Sequence, residues 1–240
     1  EEANIVDLLE TLLEYRDLSK KYSTYIKGFK EQLTEENRVH TSFKLHVTDT
    51  GRLSSKDPNI QNIPRDKEIK HLFTSPENYL LMEADYSQAE IRTLAYFSQD
   101  PYLKDIYLND KDLHDTIARK LFGKDWTDED RQKAKAVNFG IAYGLTAWSL
   151  ARDLDIPLQE AEDIMRKWRE NAEVAWEWIE EQRMTPHRKG YSVTPLGRYR
   201  FYGLVTEKNK RFKRNEAVNT PIQSTAADMT LLSTIRTHNK

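Results

Sequence analysis

The chain has 240 residues, 38% hydrophobic and 32% charged, enough for one large domain or two small ones with their own cores and a well-solvated surface. No stretch approaches the roughly 20 apolar residues that span a bilayer, the start is acidic where a signal peptide is basic, and without cysteine there is no disulfide or thiolate metal site. The expectation is an intracellular protein with no membrane contact.

The predicted elements begin with one long amphipathic helix over residues 5–25, since Ile5, Leu8, Leu9, Leu12, Leu13, Leu18, Tyr22 and Tyr25 fall at helical spacing. From Val39 the pattern alternates, with Phe43, Leu45 and Val47 on one face, which predicts a half-buried strand ended by Asp49-Thr50-Gly51. Residues 52–64 are polar and hold two prolines, predicting an ordered loop without regular structure. Tyr79 to Ala84 reads as a short buried strand running into Asp85. Helical patterning returns over residues 87–97 and 112–122. Thr127 and Asp130 resemble a capping box that starts a helix running to about Tyr143. Pro157 opens another, with Leu158, Ala161, Ile164, Met165, Trp168, Ala172 and Ala175 on its inner side. A hairpin is predicted over residues 191–201 around Thr194-Pro195-Leu196-Gly197, then a last helix from Arg214 onward. Helices with a few strands in one small antiparallel sheet make the class α+β.

The 37 basic and 39 acidic residues give a net charge of −2, without the basic excess that many nucleic-acid binders carry. Position matters more than the total. Residues 183–214 interleave ten cations with Tyr191, Tyr199, Phe201, Tyr202 and Phe212, a composition suited to a phosphate backbone or to an exposed charged hairpin. Arg131, Lys135, Phe139 and Tyr143 recur every four residues. Each step advances about 400°, so the four side chains form a slowly winding stripe about 18 Å long. Like charges at i and i+4 oppose each other unless an anion lies between them. A nucleoside triphosphate is one such anion; a solvated basic turn followed by a buried aromatic turn is the plainer reading. Asp85, at a junction of strand and helix, is placed either to cap the helix or to hold a metal rigidly. His114, in Asp112-Leu113-His114-Asp115, suits a capping or core role as well as a ligand contact.

Taken together, these segments resemble family A DNA polymerases, the group typified by bacterial DNA polymerase I. Arg131-x-x-x-Lys135-x-x-x-Phe139-Gly140-x-x-Tyr143-Gly144 is similar to motif B, and Asp85-Tyr86-Ser87-Gln88-Ala89-Glu90-Ile91-Arg92 to motif A. Asp49 to Ser55 with Asp57 to Pro64 resembles the template-primer segment, and Asn219 to Asp228 the minor-groove helix. The resemblance implies dNTP contacts from Gln88, Glu90, His114, Arg131, Lys135, Phe139 and Tyr143. Within that set Arg131 holds the terminal phosphates, and Lys135, a catalytic residue with Asp85, neutralises the phosphate undergoing substitution. Phe139 lies against sugar and base, Tyr143 near the templating base, and Glu90 against the 2′ position, favouring deoxynucleotides. Asp85 and the Tyr86 backbone carbonyl become Mg²⁺ ligands, with two ions in a complete enzyme. Arg52, Asn59, Gln61, Asn62, Asn219 and Gln223 become contacts to a DNA template-primer duplex. Asp115 is not counted as a metal ligand. Two residues depart from the family pattern: Ser224 stands where glycine is frequent, and Asn215 where bacterial members often have arginine.

The same resemblance implies a partial right hand: a thumb remnant over residues 1–37, palm over 38–95 and 185–240, and fingers over 96–184. The implied activity is template-directed nucleotidyl transfer from a dNTP to a primer 3′-hydroxyl, by a monomer in the cytoplasm of a bacterial cell or a phage-infected host. The family's His-Asp-Glu motif C is not in the sequence, so the expectation for the chain alone is slow synthesis or none. The alternatives are a noncatalytic fragment that binds template-primer and dNTP, and a single-subunit RNA polymerase, against which Glu90 and the Gln61-Asn62 loop speak.

Overall fold

The computed structural model describes residues 2–64 and 66–239, which are mostly helical with two two-stranded antiparallel sheets. The α+β class stands, with two hairpins in place of one sheet. Contacts divide the chain into two compact units, Glu1–Thr48 with Leu53–Asp85, and Asp49–Arg52 with Tyr86–Lys240. Among the described residues no helix is long and apolar enough to cross a membrane.

In the first unit α1 (Glu2–Lys20) runs into a π-helical stretch (Lys21–Lys27) and the short α2 (Gly28–Lys30). The predicted amphipathic helix therefore forms, but its leucines stay out of the core: Leu8, Leu9, Leu12 and Leu13 are 49% to 65% exposed. The chain enters a small core only at Tyr25 and Phe29, which meet Ile69 and are flanked by Val39, Ile60, Ile63 and Phe73. The Tyr25 hydroxyl donates to the Asn62 carbonyl at 2.6 Å, fixing the polar loop to this core.

Three strand and loop expectations are corrected in this unit. The strand predicted from Val39 to Val47 shrinks to β1 (Ser42–Lys44), and the predicted loop supplies its partner, β2 (Ser54–Lys56), with Ser42 opposite Lys56. A ladder extends only as far as both strands can pair, and among the described residues Phe43, Leu45 and Val47 remain exposed. The loop also holds a 3₁₀ turn, Ile60–Asn62, capped by the Asn59 side chain, before the single turn α3 (Lys67–Lys70). Tyr79 to Ala84 forms no strand, and Leu80 is 96% exposed. Among the described residues no strand pairs with it, and a lone strand cannot satisfy its own backbone.

The second unit is built from α4 (Ala89–Ser98), α5 (Pro101–Leu108), α6 (Leu113–Phe122), α7 (Asp128–Ala142), α8 (Ala147–Leu154), α9 (Leu158–Asn171), α10 (Glu173–Arg188) and α11 (Lys210–His238). The hairpin of β3 (Tyr191–Val193) and β4 (Tyr199–Phe201) lies between α10 and α11, as its turn residues predicted. α6 packs on α7, α8 on α9 and α10 on α11 around one core that includes Leu94, Leu103, Ile106, Leu113, Val137 and Ile179. Each such side chain taken fully from water contributes roughly 1.5–3 kcal/mol.

The helix starts are chemically marked. Asp100, Asp112, Thr127 and Thr146 cap α5, α6, α7 and α8, and the capping box of Thr127 and Asp130 forms in both directions. The single helix predicted from Pro157 through Ala175 is instead two, broken at Ala172. Asp100 explains the break, because its buried carboxylate accepts from Leu103 N at 2.9 Å and also from Ala175 N at 3.0 Å. One carboxylate thus satisfies the first turns of two helices.

Candidate functional site

Helix α7 carries the motif B stripe as its periodicity requires. Ala134, Val137, Asn138 and Ile141 form the buried face at i, i+3, i+4 and i+7, while Arg131, Lys135, Phe139 and Tyr143 lie on a face that is partly or fully exposed. The helix ends where Gly144 takes φ +78°, and a Cβ there would collide with the Asn215 side chain of α11. Asn215, one of the two departures from the family pattern, is therefore in intimate contact with the end of α7.

Four predicted site residues meet in one network. The Glu90 carboxylate, on the first turn of α4, accepts from the Arg52 guanidinium on one oxygen and from the Tyr143 hydroxyl on the other. Gln223 of α11 acts on the same hydroxyl, pulling its pKa down. Burial, reinforced by the Glu90 hydrogen bond and charge, pushes the Tyr143 hydroxyl up to about 12, against smaller opposing pulls from Arg52 and Gln223. Tyr143 is thus a donor at neutral pH, and Glu90 has both oxygens occupied while its side chain keeps 11% exposure. Gln88, just before α4, holds a left-handed backbone (φ 55°) and accepts from the Tyr107 hydroxyl at 3.2 Å.

A second group surrounds the start of α6. Arg131 donates from Nε to Asp115 and from Nη2 to Asp112. For Arg131 an anion is thus supplied by the chain itself, whereas Lys135 forms no ion pair among the described residues. His114 is buried on the first turn of α6, its ring 5.9 Å from that of Phe139, and Asn138 Nδ2 lies 3.3 Å from its Nδ1. Burial pushes His114 below its ordinary range. The cations Arg131 and Lys135 act in the same direction, while Asp112 and Asp115 oppose them. Asp112 and Asp115 stand in the sequence beside His114 without any sign that they pair with Arg131, and Asn138 is not among the expected site residues. Asn138 alone left a signal there, as a polar residue in the middle of an apolar helix face.

Asp85 is exposed and ends the first unit, and Asn59, Gln61 and Asn62 are exposed in the same unit. Asn59 Oδ1 accepts from Ser55 and from Gln61 N, and Gln61 Nε2 donates to the Leu53 carbonyl at 3.1 Å, so these donors partly build their own loop. The Tyr86 hydroxyl pairs with Ser233 of α11. On α11 the Oδ1 of Asn219 and the hydroxyl of the fully buried Ser224 have no hydrogen-bond partner among the described residues.

Much of the basic stretch is spoken for within the chain. Arg198 is held by Asp228 at 2.8 Å, Arg200 by Glu216 and Asp49, Lys213 by Glu216 and Lys210 by Glu207. Tyr191, Tyr199 and Phe201 share the exposed face of their hairpin with ring centroids 5.7 to 6.2 Å apart.

Comparison with known proteins agrees with this assembly of motifs on a helical unit. A profile described as DNA polymerase family A matches residues 2–240, and the chain belongs to that family. It is 38% identical over 235 residues to DNA polymerase I of Bacillus subtilis (strain 168), covering 93% of this chain and 27% of that protein. It is 35% identical over 244 residues to DNA polymerase I of Lactococcus lactis subsp. cremoris, covering 97% of this chain and 28% of that one. Among solved structures it is similar to the POL domain of Pol1 from M. smegmatis in complex with DNA primer-template and dNTP. The TM-score is 0.83 at 32% identity, over 92% of this chain and 41% of that one. The chain thus spans under a third of the length of the two curated relatives.

Proposed function

We propose that this chain serves template-directed DNA synthesis, in which a primer 3′-hydroxyl attacks the α-phosphate of a dNTP and pyrophosphate leaves. The observation that carries the reading is the network of Glu90, Tyr143 and Arg52, three residues from three separate motifs joined through one carboxylate, with Gln223 of a fourth motif acting on the Tyr143 hydroxyl. A carboxylate with both oxygens engaged is fixed in place. A ribose 2′-hydroxyl arriving beside it must collide or go unpaired, whereas a deoxyribose need not. Arg131, Lys135 and His114 are assigned to the triphosphate, Phe139 to sugar and base, Tyr143 to the templating base and Gln88 to the nucleotide. Arg52, Asn59, Gln61, Asn62, Asn219 and Gln223 are assigned to the duplex, where amide and guanidinium donors suit phosphates and the minor-groove acceptors shared by all base pairs. Residues 1–37 are assigned to the thumb, 38–95 and 185–240 to the palm and 96–184 to the fingers, and the chain to a monomer.

The family's Mg²⁺ chemistry calls for hard oxygen donors, and Asp85 with the Tyr86 carbonyl are donors of that kind. Among the described residues no group of three or more His, Asp or Glu side chains is gathered to hold a metal. These two donors fall short of a full ligand set, and the ion, when bound, would take the rest of its ligands from phosphate and water. What the chain's own residues contribute is positioning and charge: cations along one face of α7 against phosphates, and a fixed carboxylate against the sugar.

The test titrates the purified chain with a fluorescent primer-template whose primer ends in a dideoxynucleotide, with Mg²⁺ and either the matched or a mismatched dNTP. The expected result is salt-sensitive duplex binding that the matched dNTP tightens more than the mismatched one. Binding indifferent to the match, or none at low salt, overturns the proposal. With an extendable primer, incorporation separates a polymerase from a binding module.

A further inference from the structure

Three buried side chains on three helices form a directed chain of hydrogen bonds. Trp168 of α9 is 3% exposed and Asn138 of α7 is 1% exposed, and the indole Nε1 lies 3.0 Å from Asn138 Oδ1. An indole nitrogen only donates, so the atom facing it must be the amide oxygen. The Asn138 nitrogen then faces His114 Nδ1 on α6, at 3.3 Å. An amide NH₂ only donates, so Nδ1 must offer a lone pair, and the single proton of the neutral imidazole belongs on Nε2. Were Nδ1 protonated, two donors would face each other in a site closed to water, leaving a buried polar group unpaired. Among the described residues Nε2 makes no hydrogen bond, and it is not among the polar atoms sealed from solvent.

We propose that Trp168 and Asn138 are positioning residues that set the His114 tautomer, so that Nε2 presents a hydrogen to a bound phosphate. The proposal rests on the triphosphate reading above, and deepens it by assigning the direction of the hydrogen bond. Neutral imidazole is also the form favoured here, since burial and the nearby Arg131 and Lys135 charges oppose protonation more than Asp112 and Asp115 promote it. His114 acts as an uncharged donor beside cationic side chains, and Asn138 must keep its amide orientation for it to do so.

The experiment is long-range ¹H–¹⁵N NMR on the histidine-labelled chain. Wild type is expected to show an unprotonated Nδ1 and a protonated Nε2 for His114, with the Nε2–H resonance shifted by saturating dNTP and by inorganic tripolyphosphate. Asn138→Asp, which turns an acceptor toward Nδ1, is expected to place a proton there. Trp168→Phe, which keeps a ring but frees the amide to flip, is expected to give mixed tautomers and about twofold weaker tripolyphosphate binding, the cost of a competent state half populated. A wild-type His114 protonated on Nδ1 overturns the proposal without any variant having to fold. So does an Asn138→Asp protein whose Nδ1 remains bare. The expected tautomer with an Nε2–H unmoved by either ligand leaves the relay standing and sinks the phosphate contact, a failure distinct from loss of duplex binding.

Discussion

Arg131 Nε lies 2.5 Å from Asp115 Oδ1, so the cation assigned to a triphosphate is already neutralised in its absence. Asp112 takes a second nitrogen of the same guanidinium at 3.2 Å. An incoming phosphate must therefore compete with carboxylates one helix away. Asp115→Asn is expected to tighten tripolyphosphate binding about two- to fivefold, the range spanned by exposed ion pairs. The gain should vanish in an Arg131→Gln background. Isothermal titration of the two single variants and the double decides it, and an equal gain without Arg131 would mean that Asp115 acts only through bulk charge.

Glu90 is expected to govern sugar choice. Glu90→Ala removes the fixed carboxylate and leaves Arg52 and Tyr143 without it, so the preference for dNTP over rNTP should fall about tenfold. Competition binding with a matched dNTP and rNTP pair on the dideoxy-terminated duplex reads this ratio. Tyr143→Phe, which removes one of two donors, is expected to have a smaller effect in the same direction.

His114 and Asp112 give the fold an acid sensitivity with a definite sign. His114 is held below its ordinary 6.5, so the unfolded chain binds more protons and stability falls as pH drops through the window under 6.5. Asp112 is also lowered from its ordinary 3.8. Its burial works against this, but the Asp115 backbone N–H and the Arg131 charge outweigh it. Its contribution is complete above 3.8 and is lost as pH falls through the lowered value. Thermal melts from pH 7.5 to 5 should show a declining midpoint whose slope is reduced in His114→Gln; an unchanged slope assigns the sensitivity elsewhere.

Gly144→Ala is expected to cost about 1–3 kcal/mol, because φ +78° is strained for any residue with a Cβ and because that Cβ meets Asn215. Urea denaturation measures the loss. Asn215→Ala in the same chain should recover the collision but not the dihedral strain, so rescue is expected to be partial.

What could be read from the sequence was what is decided locally. The capping box at Thr127, the exposed stripe of Arg131 to Tyr143 and the turn of the 191–201 hairpin depend on near neighbours, and all three formed. What could not be read depends on a distant partner. The break at Ala172 is tied to Asp100, 75 residues before the amide it caps. The partners of Arg131 lie on another helix, so its spacing with Lys135 showed that an anion was needed and left its identity open. The strands failed for the same reason: alternation or an apolar run marks a segment that can pair, and the pairing residues lie elsewhere.

The unpaired run Tyr79-Leu80-Leu81-Met82 has a bearing on how the molecule behaves in a tube. Its side chains are 69% to 96% exposed, and beyond Tyr79, whose N–H and carbonyl are held by Pro76 and Ser75, no backbone hydrogen bond is formed among the described residues, so the run is a sticky tape for the same segment of another molecule. Concentrated samples should therefore precipitate on warming well before the helical core melts, and a single lysine in place of Leu81 should delay the turbidity.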